Sequence, residues 1–195
     1  MNNEIKQWEK GLDYFKKNKP LSNYLNEIDL SFLKQKTYFK TLIGIVIGQQ
    51  ISTSAAKSIK SNFFKNLKTV NPEIVLKILK SKKNFGLSKN KCKTIKLLSE
   101  KLIYDKHFLH DLKNKEQSDS INSLTSIWGI GNWTAKMFLI FGLNNIDVFI
   151  NEDFGIKKSV KKIYGENFTL KKLEDQFKPY RSIATLLLWK HLEKL

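Results

Sequence analysis

Three carboxylates stand close together in the segment DVFINEDFGIKK, residues 147–158: Asp147, Glu152 and Asp153. A carboxylate can stabilise positive charge that develops in a transition state, and it can orient or deprotonate an attacking water. Asp153 is the best placed, because a helix is predicted to begin there and the positive end of a helix dipole favours a carboxylate. The alternative is that Asp153 only caps the helix, the commonest role of aspartate at such a position. Asp147 and Glu152 are expected to be structural or solvated.

A second candidate site is the glycine turn WGIGNWTA, residues 128–135, which lies between two predicted helices. Glycine exposes bare backbone, so amide groups in such a turn can approach a phosphate, and the next helix adds its positive N-terminal end. Ile130 is expected to point inward. The alternative is a simple tight corner between helices. The candidate phosphate-binding residues are Gly129, Gly131, Asn132 and Thr134, with Ser88 and Lys89, and also Lys91, at the start of another helix; Ser88 is equally explained as an ordinary helix cap.

The net charge of +17 and the pI near 9.8 point to a polyanionic partner such as nucleic acid. The same charge is also explained by biased composition, since Arg181 is the only arginine among 35 basic residues and the rest are lysine. The single cysteine, Cys92, excludes a disulfide framework, a thiolate zinc site and a four-cysteine iron–sulfur cluster. No cofactor is therefore required by the composition.

The elements that must position these groups are helices, because apolar residues recur with a period of 3.6 and no convincing alternating strand is found. About ten helices are predicted. Thr53, Ser88 and Thr169 are the candidate N-caps, and Pro72 and Pro179 are placed in first turns. Residues 38–49 are apolar on nearly all sides, which predicts a central buried helix.

Four segments together resemble the helix-hairpin-helix DNA glycosylase superfamily, and within it the 3-methyladenine DNA glycosylase II group. The segments are FKTLIGIVIGQQISTSAA (39–56), FGLSKNKCKTIKLLSE (85–100), LTSIWGIGNWTAKMFLIFGLNNIDVFINEDFGIKK (124–158) and KPYRSIATLLLW (178–189). The resemblance implies an all-α fold of two helical lobes with an active-site cleft between them. One lobe would comprise residues 1–35 and 150–195, and the other residues 36–149 with the hairpin at 127–133.

The resemblance also assigns roles to single residues. Asp153 would be catalytic, and a residue at the elbow after the buried helix would fill the gap left by a flipped nucleotide, with Gln50 the first candidate and Gln49 the second. A polar helix end is an equally good explanation of both glutamines. The base pocket would contain Trp133, Trp189 and Met137, although core packing also explains a tryptophan. A Na⁺ or K⁺ ion would be held by the backbone carbonyls of Thr125, Ile127 and Ile130.

Two departures from the family pattern are visible. Trp128 stands where the family usually has proline, and Asn151 replaces a proline that commonly precedes the acidic pair. The residue type at position 133 is also informative. Family members that also cleave the DNA backbone use a lysine amine to form a Schiff base. That lysine would fall at Trp133, so no lyase step is expected.

The resemblance thus predicts a monofunctional glycosylase that releases alkylated purines such as 3-methyladenine and 7-methylguanine from duplex DNA, starting base excision repair. Two alternatives are a glycosylase of this superfamily for uracil or hypoxanthine, and a non-catalytic DNA-binding module. A third, a basic interaction protein, predicts no salt-dependent DNA binding. The N-terminus has no apolar core of a signal peptide, and no apolar run is long enough to span a bilayer, so we expect a cytoplasmic protein. The resemblance further implies that the protein acts on DNA as a monomer and associates with the nucleoid through DNA binding.

Overall fold

A computed structural model describes residues 2–34, 37–81, 85–166 and 168–194, and over these ranges the protein is all-α, as predicted. The α-helices in the described residues are α1 (Asn2–Phe15), α2 (Lys19–Ser22), α3 (Tyr38–Gly48), α4 (Thr53–Lys65), α5 (Pro72–Leu79), α6 (Lys89–Tyr104), α7 (Phe108–Asp111), α8 (Gln117–Thr125), α9 (Asn132–Phe141), α10 (Phe154–Tyr164), α11 (Leu170–Gln176) and α12 (Arg181–Glu193). Short 3₁₀ helices cover Leu25–Glu27, Ser31–Lys34 and Leu112–Asn114. None of the helices in these ranges is long and apolar enough to cross a membrane.

The chain divides into two compact units. The first comprises residues 1–36 and 139–195, and the second comprises residues 37–138. The predicted boundary between residues 35 and 36 lies outside the described residues. The other boundary was predicted between residues 149 and 150, but it lies between 138 and 139. Residues 139–149 belong to the first unit, where Asn144 is hydrogen-bonded to α1 and Val148 is hydrogen-bonded to α12.

The core of the second unit is built on α3, which is buried on nearly every side, as its sequence predicted. Helix α3 packs against α4 and α6. Gly44 and Gly48 leave room for the side chain of Lys60, whose carbon chain lies 3.7 Å from where a Gly44 Cβ would be. Burial of this amine lowers the pKa of Lys60.

The first unit is organised by α12, which packs against α10, α1 and α2. An extended segment, Val148-Phe149-Ile150, is fully buried and leads to the start of α10. It is fixed to α12 by Ser182, whose Oγ accepts a hydrogen bond from Val148 N (2.9 Å) and donates one to Asn145 O (2.7 Å). The position at which α10 begins is therefore determined by the first turn of α12.

Most of the predicted helix starts are confirmed. Ser88 caps α6, Thr169 caps α11 and Pro72 lies in the first turn of α5. Two predictions are wrong. Ser52, not Thr53, caps α4, since the extended backbone of Ser52 lets its Oγ accept from Ala55 N (3.3 Å). Pro179 precedes α12, because the bond from Tyr180 N to Phe177 O (2.7 Å) closes a turn before the helix begins.

Candidate functional site

Asp153 occupies the N-cap of α10 in the first unit, as the sequence predicted. Its Oδ1 accepts a hydrogen bond from Ile156 N at 2.9 Å and a second from Trp189 Nε1 at 3.2 Å. The capping interpretation is therefore correct, but it does not exclude chemistry. The indole donor from α12 is not needed for a cap, and it fixes the direction of a half-buried carboxylate.

Trp189 is itself positioned by other aromatic rings. Its indole stacks on Phe141, with ring centroids 6.3 Å apart and planes 13° from parallel. Phe141 contacts Phe32 edge-on, and Phe32 contacts the buried Trp8 in the same manner. The half-buried Trp189 thus ends a chain of rings that begins in the core, as the packing alternative expects, and its role in a base pocket stays a prediction.

Gly155 is a site residue that the sequence did not reveal. A Cβ at this position would lie 2.6 Å from Leu192 Cδ2 and 3.0 Å from Asp153 Oδ1. Any side chain here would push on the carboxylate and on α12 together. The only available sequence signal was a glycine in the first turn of a helix, where glycine is unfavourable.

If Asp153 is the reacting carboxylate, we expect Gly155→Ala to lower base release by about 10- to 100-fold, because a misplacement of about 1 Å can cost up to about 10²-fold. The measurement is steady-state base release together with thermal unfolding. Gly155→Ala/Leu192→Ala relieves the contact with Leu192 but not the contact with Asp153. If the double variant recovered full turnover, the carboxylate would not be the group displaced.

Asp147 has a structural role, as predicted. It makes a two-pronged ion pair with Arg181, from Nε to Oδ1 at 2.6 Å and from Nη2 to Oδ2 at 2.9 Å. Arg181 also contacts Glu174 Oε1 at 3.3 Å through Nη1. The hydrogen bond to Asp147 raises the pKa of Arg181 above its ordinary value. The only arginine of the chain thus organises acids.

Arg181→Lys is expected to lower the free energy of unfolding by about 2 kcal/mol, because lysine cannot replace a bidentate, largely buried guanidinium. Chemical denaturation measures this loss. Asp13→Asn is the matched control, since it removes a solvent-exposed ion pair with Lys16 and should leave the unfolding midpoint unchanged. Equal midpoints for the two variants would contradict the structural role of the Arg181 pair.

The hairpin lies in the second unit between α8 and α9, where Ile130 N donates to Ile127 O at 3.0 Å. Ile130 is buried and points inward, as predicted. Gly129 has φ +84°, and a Cβ there would lie 1.9 Å from Thr94 Oγ1 on α6. Gly131 has no atom within 4 Å of its would-be Cβ, so its side of the turn is open. Gly129 is therefore required by packing, whereas Gly131 leaves the backbone accessible.

Gln49 and Gln50 differ in what they can do. Gln49 Nε2 donates to Gly129 O at 3.0 Å and to Thr134 Oγ1 at 2.8 Å, so a wedge role for Gln49 would require both bonds to break. Thr134 is buried and its hydroxyl is engaged, which leaves only its amide as a candidate phosphate donor. Gln50 is exposed with φ 55°, and it remains the first candidate for the wedge.

Gln50→Gly is expected to lower base release by about tenfold if the side chain compensates unstacking of the flipped nucleotide. Stability should stay within about 1 kcal/mol of the wild type, because glycine accepts a positive φ without strain. Base-release kinetics and thermal unfolding test this. Gln50→Asn is the matched control, as asparagine tolerates the same backbone and retains an amide. If Gln50→Gly released bases at the wild-type rate, Gln50 would not be the wedge.

The start of α6 carries two exposed candidates and one structural residue. Ser88 Oγ accepts from Lys91 N at 3.3 Å, so Ser88 is a helix cap, and both Ser88 and Lys89 are exposed. Lys91 Nζ donates to Ile47 O at 2.8 Å in the last turn of α3. Burial lowers the pKa of Lys91. Lys91 therefore supports the end of α3, and its role as an additional phosphate contact stays a prediction.

The remaining predicted residues lie on or beside the hairpin. Trp133 and Met137 are half-buried, one turn apart on α9. The described residues contain no cluster of three histidine, cysteine, aspartate or glutamate side chains that could hold a metal. The carbonyls of Thr125, Ile127 and Ile130 are neutral oxygen donors of the kind that suits a hard monovalent ion. The carbonyl of Ile127, which accepts from Ile130 N, still has a second lone pair.

Comparison with known proteins gives the family. Residues 43–181 match the model of the HhH-GPD superfamily base excision DNA repair protein. The chain belongs to this superfamily. This chain is 30% identical to the DNA-3-methyladenine glycosylase of Saccharomyces cerevisiae. The alignment covers 89% of this chain and 73% of that protein.

Two solved structures share this superfamily fold. One is the Schizosaccharomyces pombe 3-methyladenine DNA glycosylase in complex with abasic DNA, with TM-score 0.68 and 26% identity, covering 78% of this chain and 79% of that one. The other is a DNA-3-methyladenine glycosidase from Bacillus halodurans, with TM-score 0.72 and 26% identity, covering 97% of this chain and 88% of that one. These matches confirm the family resemblance and the fold class.

Proposed function

We propose that this protein is a monofunctional DNA glycosylase that hydrolyses the N-glycosidic bond of alkylated purines in duplex DNA. The observation that carries the proposal is the carboxylate of Asp153, capping α10 and oriented by the indole of Trp189. The similarity to 3-methyladenine glycosylases supports the substrate class. The products are the free base and an abasic site.

The proposed chemistry follows from the charge of the substrate. An alkylated purine such as 3-methyladenine carries a positive charge, so it leaves as a neutral base and requires no strong general acid. Asp153 stabilises the positive charge on the sugar and orients or deprotonates the attacking water. Indole rings attract a cationic base through their faces, which gives Trp133 and Trp189 their proposed pocket roles, with Met137 beside Trp133 on α9.

The absence of a lyase step also belongs to the proposal. A Schiff base needs a lysine amine at the family position, which here is Trp133. We further propose a Na⁺ or K⁺ ion on the carbonyls of Thr125, Ile127 and Ile130, which would add positive charge beside a bound phosphate. The amides of Gly131, Asn132 and Thr134 are the proposed phosphate donors of the protein itself.

The experiment is base release from methylated duplex DNA, with the free bases separated by chromatography. Release of 3-methyladenine or 7-methylguanine without strand cleavage is the expected result. Parallel duplexes containing uracil or hypoxanthine provide the control for substrate class. If these were processed and the methylated DNA were not, the alkylpurine assignment would be wrong. If none were processed while duplex binding persisted, the protein would be a binding module.

A further inference from the structure

Trp128 is an unusual residue for the tip of this hairpin. Trp128 is 44% exposed and stands directly before Gly129, whereas so large an aromatic residue is usually mostly buried. The ammonium of Lys93 lies 4.0 Å from the centroid of this ring. The two residues come from different elements, the hairpin and α6, and they meet at the surface.

The position of this pair is fixed by its neighbours. Thr94, next to Lys93, is buried beneath Gly129, whose would-be Cβ lies 1.9 Å from Thr94 Oγ1. The ring of Trp128 and the ammonium of Lys93 are therefore held beside the open amide turn at Gly131. Because the contact with the ring already orders the lysine side chain, less conformational entropy remains to be lost when an anion binds.

Lys93 also differs from three of the other lysines on its helix. Lys96 pairs with Glu100, Lys101 pairs with Asp105, and Lys91 is bonded to a carbonyl of α3. Among the described residues no acidic group pairs with Lys93, which is exposed. An ammonium without a counterion suits a phosphate, and an exposed aromatic ring suits an apolar face beside that phosphate. The sugar-phosphate backbone of a nucleic acid offers both, with the deoxyribose as the apolar face.

We propose that Trp128 and Lys93 form a second DNA-backbone contact beside the hairpin. Lys93 pairs with a phosphate that neighbours the one bound by the hairpin amides, and the exposed part of the Trp128 ring packs on the adjoining deoxyribose. The proposal rests on the proposed function, since it takes duplex DNA as the substrate. It gives a role to the residue that stands where the family usually has proline.

The test is equilibrium binding to a duplex that contains a tetrahydrofuran abasic-site analogue, measured by fluorescence anisotropy over a series of NaCl concentrations. Lys93→Gln should reduce the steepness of the log–log salt dependence by about 0.9 and weaken binding about eightfold at 0.1 M salt, the amounts expected for one phosphate contact. Lys96→Gln is the matched control, because it removes the same charge one turn away and should leave the salt slope of the wild type unchanged.

Two ring variants test the sugar contact. Trp128→Ala should weaken binding at every salt concentration, whereas Trp128→Phe retains a ring and should keep most of the affinity. Thermal unfolding of each variant shows whether the fold is intact, and the phenylalanine variant decides the question if the alanine variant is unstable. A loss of stability in Lys93→Gln with the slope of the wild type would make the pair purely structural and overturn the proposal.

The two proposals fail in different ways. If the wild type released alkylpurines but Lys93→Gln and Lys96→Gln had equal salt slopes, only the second backbone contact would be wrong. If no base were released but the slope fell in Lys93→Gln alone, the contact would stand as a DNA contact and the alkylpurine glycosylase assignment would be wrong.

Discussion

Asp153→Asn is expected to reduce base release from methylated duplex DNA by about 10² to 10⁴, the range by which a positioned acid–base group accelerates a reaction. Asparagine has the same shape and is equally good as an N-cap, so its side-chain oxygen can still accept from Ile156 N and Trp189 Nε1. The substitution therefore removes the negative charge and retains both hydrogen bonds. A loss of rate would report on the charge itself.

Single-turnover release, followed by chromatography of the free bases, is the suitable measurement, because slow product release does not mask it. Glu152→Gln is the matched control: it removes the neighbouring, exposed carboxylate and should leave the rate unchanged. Duplex binding by Asp153→Asn should match that of the wild type. If Asp153→Asn released bases at the wild-type rate, or if Glu152→Gln lost as much activity, Asp153 would not be the catalytic residue.

Gly129→Ala is expected to lower the free energy of unfolding by about 2 to 4 kcal/mol. The backbone at φ +84° disfavours any residue with a Cβ, and that Cβ would collide with Thr94 Oγ1. Urea denaturation measures the loss. Gly131→Ala is the control, since nothing lies within 4 Å of its Cβ, and it should change stability by no more than about 0.5 kcal/mol.

A double-mutant cycle separates the two causes of this loss. Thr94→Ala removes the colliding hydroxyl, so Gly129→Ala/Thr94→Ala should be more stable than the sum of the single effects by about 1 to 2 kcal/mol. The part that remains is the cost of the positive φ together with the close contact to the Cβ of residue 94, which would still lie 3.0 Å away. If the two substitutions were simply additive, the contact between the hairpin and α6 would not be the source of the destabilisation.

Sequence reasoning succeeded where the determining contacts are local. A cap depends on a side chain and an amide three residues later, so Ser88, Thr169 and Asp153 were predicted from their immediate context. The single-residue shift at Ser52 shows the limit, because adjacent Ser52 and Thr53 are equally good cap formers until the backbone conformation of each is known.

What the sequence could not predict depends on partners far apart in the chain. Gln49 is held by Gly129 and Thr134, 80 and 85 residues later, and nothing in the sequence near Gln49 indicates those bonds. Gly155 is confined by Leu192 on another helix, and the indole of Trp189 reaches Asp153 from α12. The catalytic candidate was found by its type and position, but the groups that orient it required the fold.

The end of α3, the hairpin and the start of α6 are joined in a closed triangle. Gln49 joins α3 to the hairpin, Lys91 joins α6 to α3 through Ile47 O, and Thr94 contacts the hairpin from α6. With two contacts among three segments, one segment could pivot independently, whereas a closed set of three restrains each segment through both of the others. A force applied at the hairpin is consequently shared by both helices.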